Sequence, residues 1–141
     1  MRENTTGKRI LWIEDDAGNL RGLIRPIEKD GHRITIALNE EQALEALDSG
    51  SFDLIILDLI IPSASPIDWS LNELQPALVG VRLAEEIVKK RAINVPIIVI
   101  SVVDNSKIKK CLLEMGIKKF LLKGHVLPSE LYKEIKEILN I

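Results

Sequence analysis

The sequence predicts an α/β protein: a doubly wound parallel sheet covered by helices on both faces, in three α/β/α layers. Three observations carry this expectation. Short apolar runs alternate with amphipathic runs from one end of the chain to the other. Several of the apolar runs are continuous rather than alternating, the pattern of strands buried on both faces. The amphipathic runs between them are long enough for crossover helices, and right-handed crossovers place those helices on both sides of the sheet. At 141 residues, the chain 1–141 reads as one domain, within the usual size of about 100–150 residues.

In order, the first strand is expected at 10–13 and is followed by a helical pattern over 17–30. Pro26 inside that pattern either kinks the helix or sits where a missing hydrogen bond is tolerated. The second strand is expected at 34–38 and the next helix at 40–49, where Asn39 followed by Gln42 reads as a capping box. The third strand occupies 54–57. The stretch after it carries prolines at 62, 66 and 76 together with Trp69, and is too long for a βα connection of about 2–6 residues. It reads as an insertion at about 63–79, expected to form a lid near the strand ends with Trp69 as its apolar anchor. A helix over 77–91, a strand at 95–100, a helix over 105–115, a strand at 117–122 and a helix over 128–139 complete the pattern. In the last helix Leu127, Leu131, Ile135 and Ile138 make one apolar stripe. Gly31, Gly50 and Gly116 each follow a helical run, where a left-handed cap is wanted.

Composition excludes several function classes. Hydrophobic residues make up 46% and charged residues 28%, so the chain can build a packed core. The net charge of −2 lacks the basic footprint of a general nucleic-acid binder, and no nucleic-acid partner is expected. No apolar run approaches the roughly 18–20 residues of a membrane span. The polar start MRENTTGKR has no signal-peptide core, so a cytoplasmic location is expected. A single cysteine, Cys111, excludes an internal disulfide and any multi-cysteine metal site.

In open α/β sheets, ligands bind outside the carboxyl ends of the strands where strand order reverses. Here the first strand ends in Glu14, Asp15 and Asp16, the third in Asp58, the fourth in Ser101 and the fifth in Lys123. With the flavodoxin-like strand order 2-1-3-4-5, Glu14, Asp15 and Asp58 converge on one pocket with Ser101 and Lys123 at its side. Crowded carboxylates repel one another, and Mg²⁺ with its preference for oxygen ligands is the natural remedy. A lysine and a hydroxyl beside such an ion are the positioning and electrostatic parts that phosphoryl transfer needs. A flavin-phosphate site is excluded because the first strand end offers three acids instead of an anion cradle. No glycine-rich P-loop signature is present either.

These residues resemble the receiver domains of two-component response regulators. ILWIEDD at 10–16 resembles the family's first strand and acidic pair, and FDLIILDLIIP at 52–62 its phosphoacceptor strand. PIIVIS at 96–101 resembles the strand with the switch hydroxyl, and GIKKFLLK at 116–123 the strand with the aromatic switch and the lysine. The resemblance implies that Asp58 accepts a phosphoryl group from a sensor histidine kinase or phosphotransfer protein. It implies that Asp15, Asp58 and the backbone carbonyl of Ile60 ligate Mg²⁺, with Glu14 acting through water. Ser101 and Lys123 would bind the phosphoryl oxygens, and Phe120 would turn inward as Ser101 moves. Asp16 is expected to cap the first helix instead. The implied protein is a stand-alone phosphoacceptor that assists its own phosphorylation and dephosphorylation without being an enzyme. It would signal by protein contact, and the resemblance leaves homodimerisation open.

Three departures from the family pattern stand out. Val102 follows the switch hydroxyl where a small residue is usual, and Gly124 follows the lysine where proline is usual. GVRL at 80–83 resembles the start of the third helix, yet Gly80 lies eighteen positions after Pro62. Val102 and the insertion favour the alternative of a degenerate receiver that acts as a phosphorylation-independent interaction module. Residues 104–141 carry net charge +3 against −5 for 1–103. The 104–141 face, with Lys107, Lys109, Lys110, Lys118, Lys119, Lys133 and Lys136, is therefore the expected surface for a downstream protein.

Overall fold

The computed structural model describes residues 7–63 and 78–141. The elements are β1 (Arg9–Ile13), a 3₁₀ turn (Ala17–Leu20) leading into α1 (Arg21–Lys29), β2 (Arg33–Ala37), α2 (Glu40–Ser49) and β3 (Leu54–Leu57). They continue with α3 (Leu78–Glu85) and its π-helical extension (Glu86–Lys90), β4 (Ile97–Ser101), α4 (Ser106–Glu114), β5 (Lys119–Leu122) and α5 (Pro128–Leu139). The five strands form one parallel sheet in the order β2-β1-β3-β4-β5, as the sequence predicts.

The continuous apolar runs follow from this layout. Alternate residues of β1 serve opposite faces. Leu11 and Ile13 join a core with Ala43 of α2, Leu83 of α3 and Leu112 of α4. Ile10 and Trp12 join a second core with Ile24 and Ile27 of α1 and Leu131 and Ile135 of α5. Every residue of β3 and β4 is buried, whereas the edge strands β2 and β5 are partly exposed. Two buried faces leave no polar positions in a central strand, so the period-2 alternation disappears.

Several local expectations are corrected. β4 starts at Ile97, not 95, because Pro96 has no N–H for the ladder; its carbonyl still accepts from Ile55 at 3.0 Å. Likewise β5 starts at Lys119, although Lys118 N–H donates to Ile97 O at 2.9 Å just before it. Leu127 does not join the α5 stripe: it is the N-cap residue and 64% exposed, while Leu131 and Ile135 are buried. Gly31 and Gly116 take φ +92° and +98° after their helices, but Gly50 is extended at φ −152°. Asn39 caps α2 by accepting from Gln42 N–H at 2.8 Å; the Gln42 side chain reaches back one residue further, to Leu38 N–H. Pro26 lies on the exposed face of α1, where a carbonyl that loses its helical partner is accessible to solvent. Most of the expected insertion, Trp69 included, lies outside the described residues.

The α3 run ends in a wider turn that sequence periodicity does not reveal. Arg91 N–H donates to Glu86 O at 2.9 Å, an i→i−5 bond, and Ala92 then takes φ +51°. An L residue in the left-handed region is strained, whereas glycine is not. Ala92→Gly is expected to raise stability by about 0.5–1 kcal/mol, after the extra unfolded-state entropy of glycine is deducted. The readout is a higher denaturant midpoint at unchanged slope. An unchanged or lower midpoint would remove strain at Ala92 as a factor.

Candidate functional site

The parallel sheet brings the carboxyl ends of β1, β3, β4 and β5 to one edge. Glu14 directly follows β1, and its N–H donates to Ala37 O of β2 at 2.9 Å. Asp58 directly follows β3, and its N–H donates to Ile13 O at 2.9 Å. Each acid is thereby fixed at its backbone by the neighbouring strand. Glu14 and Asp58 are 2% and 4% exposed, while Asp15 is exposed. One carboxylate oxygen from each of Glu14, Asp15 and Asp58 lies within 4.8 Å of the others.

Lys123 follows β5 and reaches into this cluster. Its Nζ lies 2.5 Å from Glu14 Oε1 and 2.7 Å from Asp58 Oδ2. Its backbone N–H donates to Ser101 O at 2.9 Å, which ties the ends of β4 and β5 together. Burial pushes the Lys123 ammonium down, but its hydrogen bonds to Asp58 and Glu14 and their negative charge outweigh this and hold it above its ordinary value. It therefore stays charged. Glu14 is pushed up to about 7, first by burial and further by the neighbouring Asp58, against the pull of Lys123. One ammonium against three crowded carboxylates leaves an excess of negative charge beneath an exposed acid. Hard oxygen donors with that balance fit a divalent cation such as Mg²⁺.

Ser101 is fully buried at the end of β4, and its hydroxyl accepts from Val103 N–H at 3.2 Å. Ile60 is half-buried, and its N–H donates to Asp58 Oδ1 at 3.1 Å. Phe120 sits further back on β5, paired with Val99, half-buried against the α2/α3/α4 core with the Lys109 ammonium 5.9 Å from its ring centre. Asp16 stands at the N-cap position of the 3₁₀ turn, but its side chain makes no capping hydrogen bond. Val102 is 64% exposed beside Ser101. Gly124 takes φ +83°, a conformation closed to the proline usual at this position in the resembled family, whose ring holds φ near about −65°.

The basic residues expected at the 104–141 face are exposed. Lys119 is paired with Glu134 at 2.9 Å, and Lys136 lies over the Tyr132 ring at 4.3 Å. Among the described residues no helix is long and apolar enough to cross a membrane.

Sequence reasoning missed a group on the far side of the Asp58 turn. The buried Glu40 accepts from Arg82 Nε at 3.0 Å, from Arg82 Nη2 at 2.7 Å and from the Ser63 hydroxyl at 2.5 Å. Glu40 and Arg82 are 42 positions apart, on different helices, and no local pattern joins them. The one available signal is an acid directly after the Asn39 cap, which helix capping already explains.

Comparison with known proteins agrees with this geometry. The profile of the response regulator receiver domain family matches residues 10–136. The chain is 31% identical over 141 residues to a probable transcriptional regulator, ycf27, of Cyanidium caldarium, covering 98% of this chain and 50% of that protein. It is 26% identical over 135 residues to hybrid signal transduction histidine kinase B of Dictyostelium discoideum, covering 94% of this chain and 7% of that one. The fold is similar to a CheY-like response regulator receiver domain protein of Methanospirillum hungatei, with a TM-score of 0.78 and 24% identity over 96% of this chain and 95% of that one. The chain thus spans about half the length of the first of these relatives and a small part of the second. With the family profile covering nearly the whole described sheet and the acids at its carboxyl edge, the chain belongs to the response regulator receiver domain family.

Proposed function

We propose that this receiver accepts a phosphoryl group on Asp58 from a phosphohistidine of a sensor histidine kinase or phosphotransfer protein. The observation that carries the reading is Lys123 Nζ seated between Glu14 and Asp58 in a buried acidic cluster. An Asp58 carboxylate oxygen forms the new O–P bond, the P–N bond to the histidine breaks, and its electron pair stays on the imidazole, which takes a proton from solvent. Mg²⁺, held by Asp15, Asp58 and the Ile60 carbonyl with Glu14 behind it, would supply charge neutralisation for the transferring group. Lys123 would leave its ion pair to meet a phosphoryl oxygen, and Ser101 would turn its hydroxyl from Val103 to another. Phe120 would respond to that movement. Similarity to a hybrid histidine kinase supports a place in a phosphorelay, and the exposed lysines of 104–141 would meet the downstream protein. Incubation with Mg²⁺ and acetyl phosphate, read by intact mass and acid-labile phosphate, is expected to add one phosphoryl group. No adduct from acetyl phosphate, phosphoramidate or any phosphohistidine donor would leave a phosphorylation-independent interaction module.

Val102 sets the expected rate. It is a stiff β-branched residue directly after the buried Ser101, and is itself 64% exposed. A small side chain there would leave a wider approach to Asp58, so acylation is expected to be slow. Hydrolysis of the acyl phosphate is expected to be slow as well, because Ile60 and Val103 offer no side-chain acid or amide to orient water, an effect commonly worth about 10²–10⁴-fold. Val102→Ala is expected to accelerate acylation by small phosphodonors at least several-fold, by the removal of this steric barrier. An unchanged rate would discard the steric account.

A further inference from the structure

The turn after β3 is tied down at both ends. Next to Asp58, Leu59 O accepts from Gly80 N–H at 2.9 Å, which fastens the turn to α3. Four residues beyond Asp58, Pro62 O accepts from Glu40 N–H at 3.0 Å, which fastens it to α2. The Glu40 side chain then gathers the next two fixed points. Its carboxylate takes the Ser63 hydroxyl at 2.5 Å and both Nε and Nη2 of Arg82, while Arg82 Nη2 also reaches Ser63 Oγ at 2.8 Å. Glu40 is 6% exposed, so the fork-on-fork ion pair is screened from solvent on its acidic side. Ile60 lies in the middle of this arch, with its N–H on Asp58 Oδ1.

We infer that Glu40 and Arg82 are positioning residues for the phosphoacceptor site: their ion pair clamps the Asp58–Ser63 turn between α2 and α3 and so fixes Ile60 and the Asp58 carboxylate. The inference rests on the reading of Asp58 and Ile60 as Mg²⁺ ligands. The chemical logic is preorganisation. A peptide carbonyl and a carboxylate that must meet one ion need a turn that cannot breathe, and the contacts of Lys123 Nζ and the Ile60 N–H hold the turn at its Asp58 end. A bidentate guanidinium between two helices supplies a stiff link at the end of the turn furthest from Lys123. A lysine at position 82 could reach one carboxylate oxygen but not hold both.

Two measurements on the full chain test the clamp: amide hydrogen exchange at Ile60 and Ile61 in the metal-free protein, and Mg²⁺ titration. Arg82→Ala is expected to speed exchange at these amides while β1 and β4 stay protected. It should also weaken Mg²⁺ binding by about tenfold, the usual scale for supports behind a metal ligand. Arg82→Lys should restore part of both, and the milder Glu40→Gln should lie between wild type and Arg82→Ala. A lower melting temperature with wild-type exchange at Ile60 and wild-type Mg²⁺ affinity would overturn the clamp and leave a merely structural ion pair. Equal behaviour of the lysine and alanine variants would overturn the bidentate argument. If wild type itself binds no Mg²⁺, the metal assignment fails, while the exchange data still decide the clamp.

Discussion

Asp58→Asn is expected to abolish acylation by any phosphodonor while the sheet stays intact. The amide of asparagine cannot form the acyl phosphate, and among the described residues the other buried carboxylate beside Lys123 is Glu14, with Oε1 at 2.5 Å from its Nζ. The same substitution removes one of three crowded negative charges and keeps the Glu14–Lys123 pair. The metal-free variant is therefore expected to be more stable, by about 1–2 kcal/mol. Mass spectrometry and denaturation of the metal-free proteins check the two parts. A phosphoryl adduct on the variant equal to that on wild type would remove Asp58 as the acceptor.

The same variant carries a pH signature. The carboxyl of Glu14, ordinarily at 4.5, stands at about 7 in the folded metal-free protein, first through burial and then through Asp58. Between those values the folded state holds a proton that the unfolded state has lost, so stability falls as pH rises across that window. In the Asp58→Asn variant the contribution of the neighbouring carboxylate vanishes and the burial contribution remains. The fall is expected to become shallower without disappearing.

The legible part of this protein is the part written in single residues at fixed points of a repeating pattern. Asp58 is legible because a carboxylate after four buried apolar residues is costly without a purpose. Lys123 and Glu14 are legible because the βα rhythm places both at strand ends on one edge, and the structure brings them within 2.5 Å. What is not legible depends on contacts between distant residues or on backbone closeness. Glu40 meets Arg82 only because α2 and α3 lie side by side, and neither helix's periodicity reports on that. Leu127 matches the α5 stripe by spacing, yet the helix begins one residue later, so it has no turn to pack against. Gly50 follows a helix as Gly31 and Gly116 do, but the chain leaves α2 extended and no left-handed residue is required. Gly80 stands out in the sequence only as part of a family-like tetrapeptide, and its reason is steric.

Gly80→Ala is expected to be severely destabilising, by about 3 kcal/mol or more, on the scale of overpacking that the surroundings cannot absorb. A Cβ added at Gly80 would stand 2.2 Å from Leu59 Cα, 2.6 Å from its oxygen and 2.7 Å from its carbonyl carbon. All three are backbone atoms, so no rotamer change relieves the contact. Relief requires α3 to move away from the β3 end, which breaks the Gly80 N–H to Leu59 O bond and displaces the residue next to Asp58. If Asp58 is the acceptor, any folded fraction should then acylate poorly, because the turn that carries Asp58 has lost its attachment to α3. Gly22→Ala makes the same chemical change on α1, where nothing lies within 4 Å of the new Cβ. There the higher helix propensity of alanine should raise stability by about 0.5–1 kcal/mol. Opposite signs for the two variants in denaturant unfolding are the expected result. A Gly80→Ala protein as stable as wild type would mean that α3 does not approach Leu59 this closely and that the turn after β3 is held by other contacts.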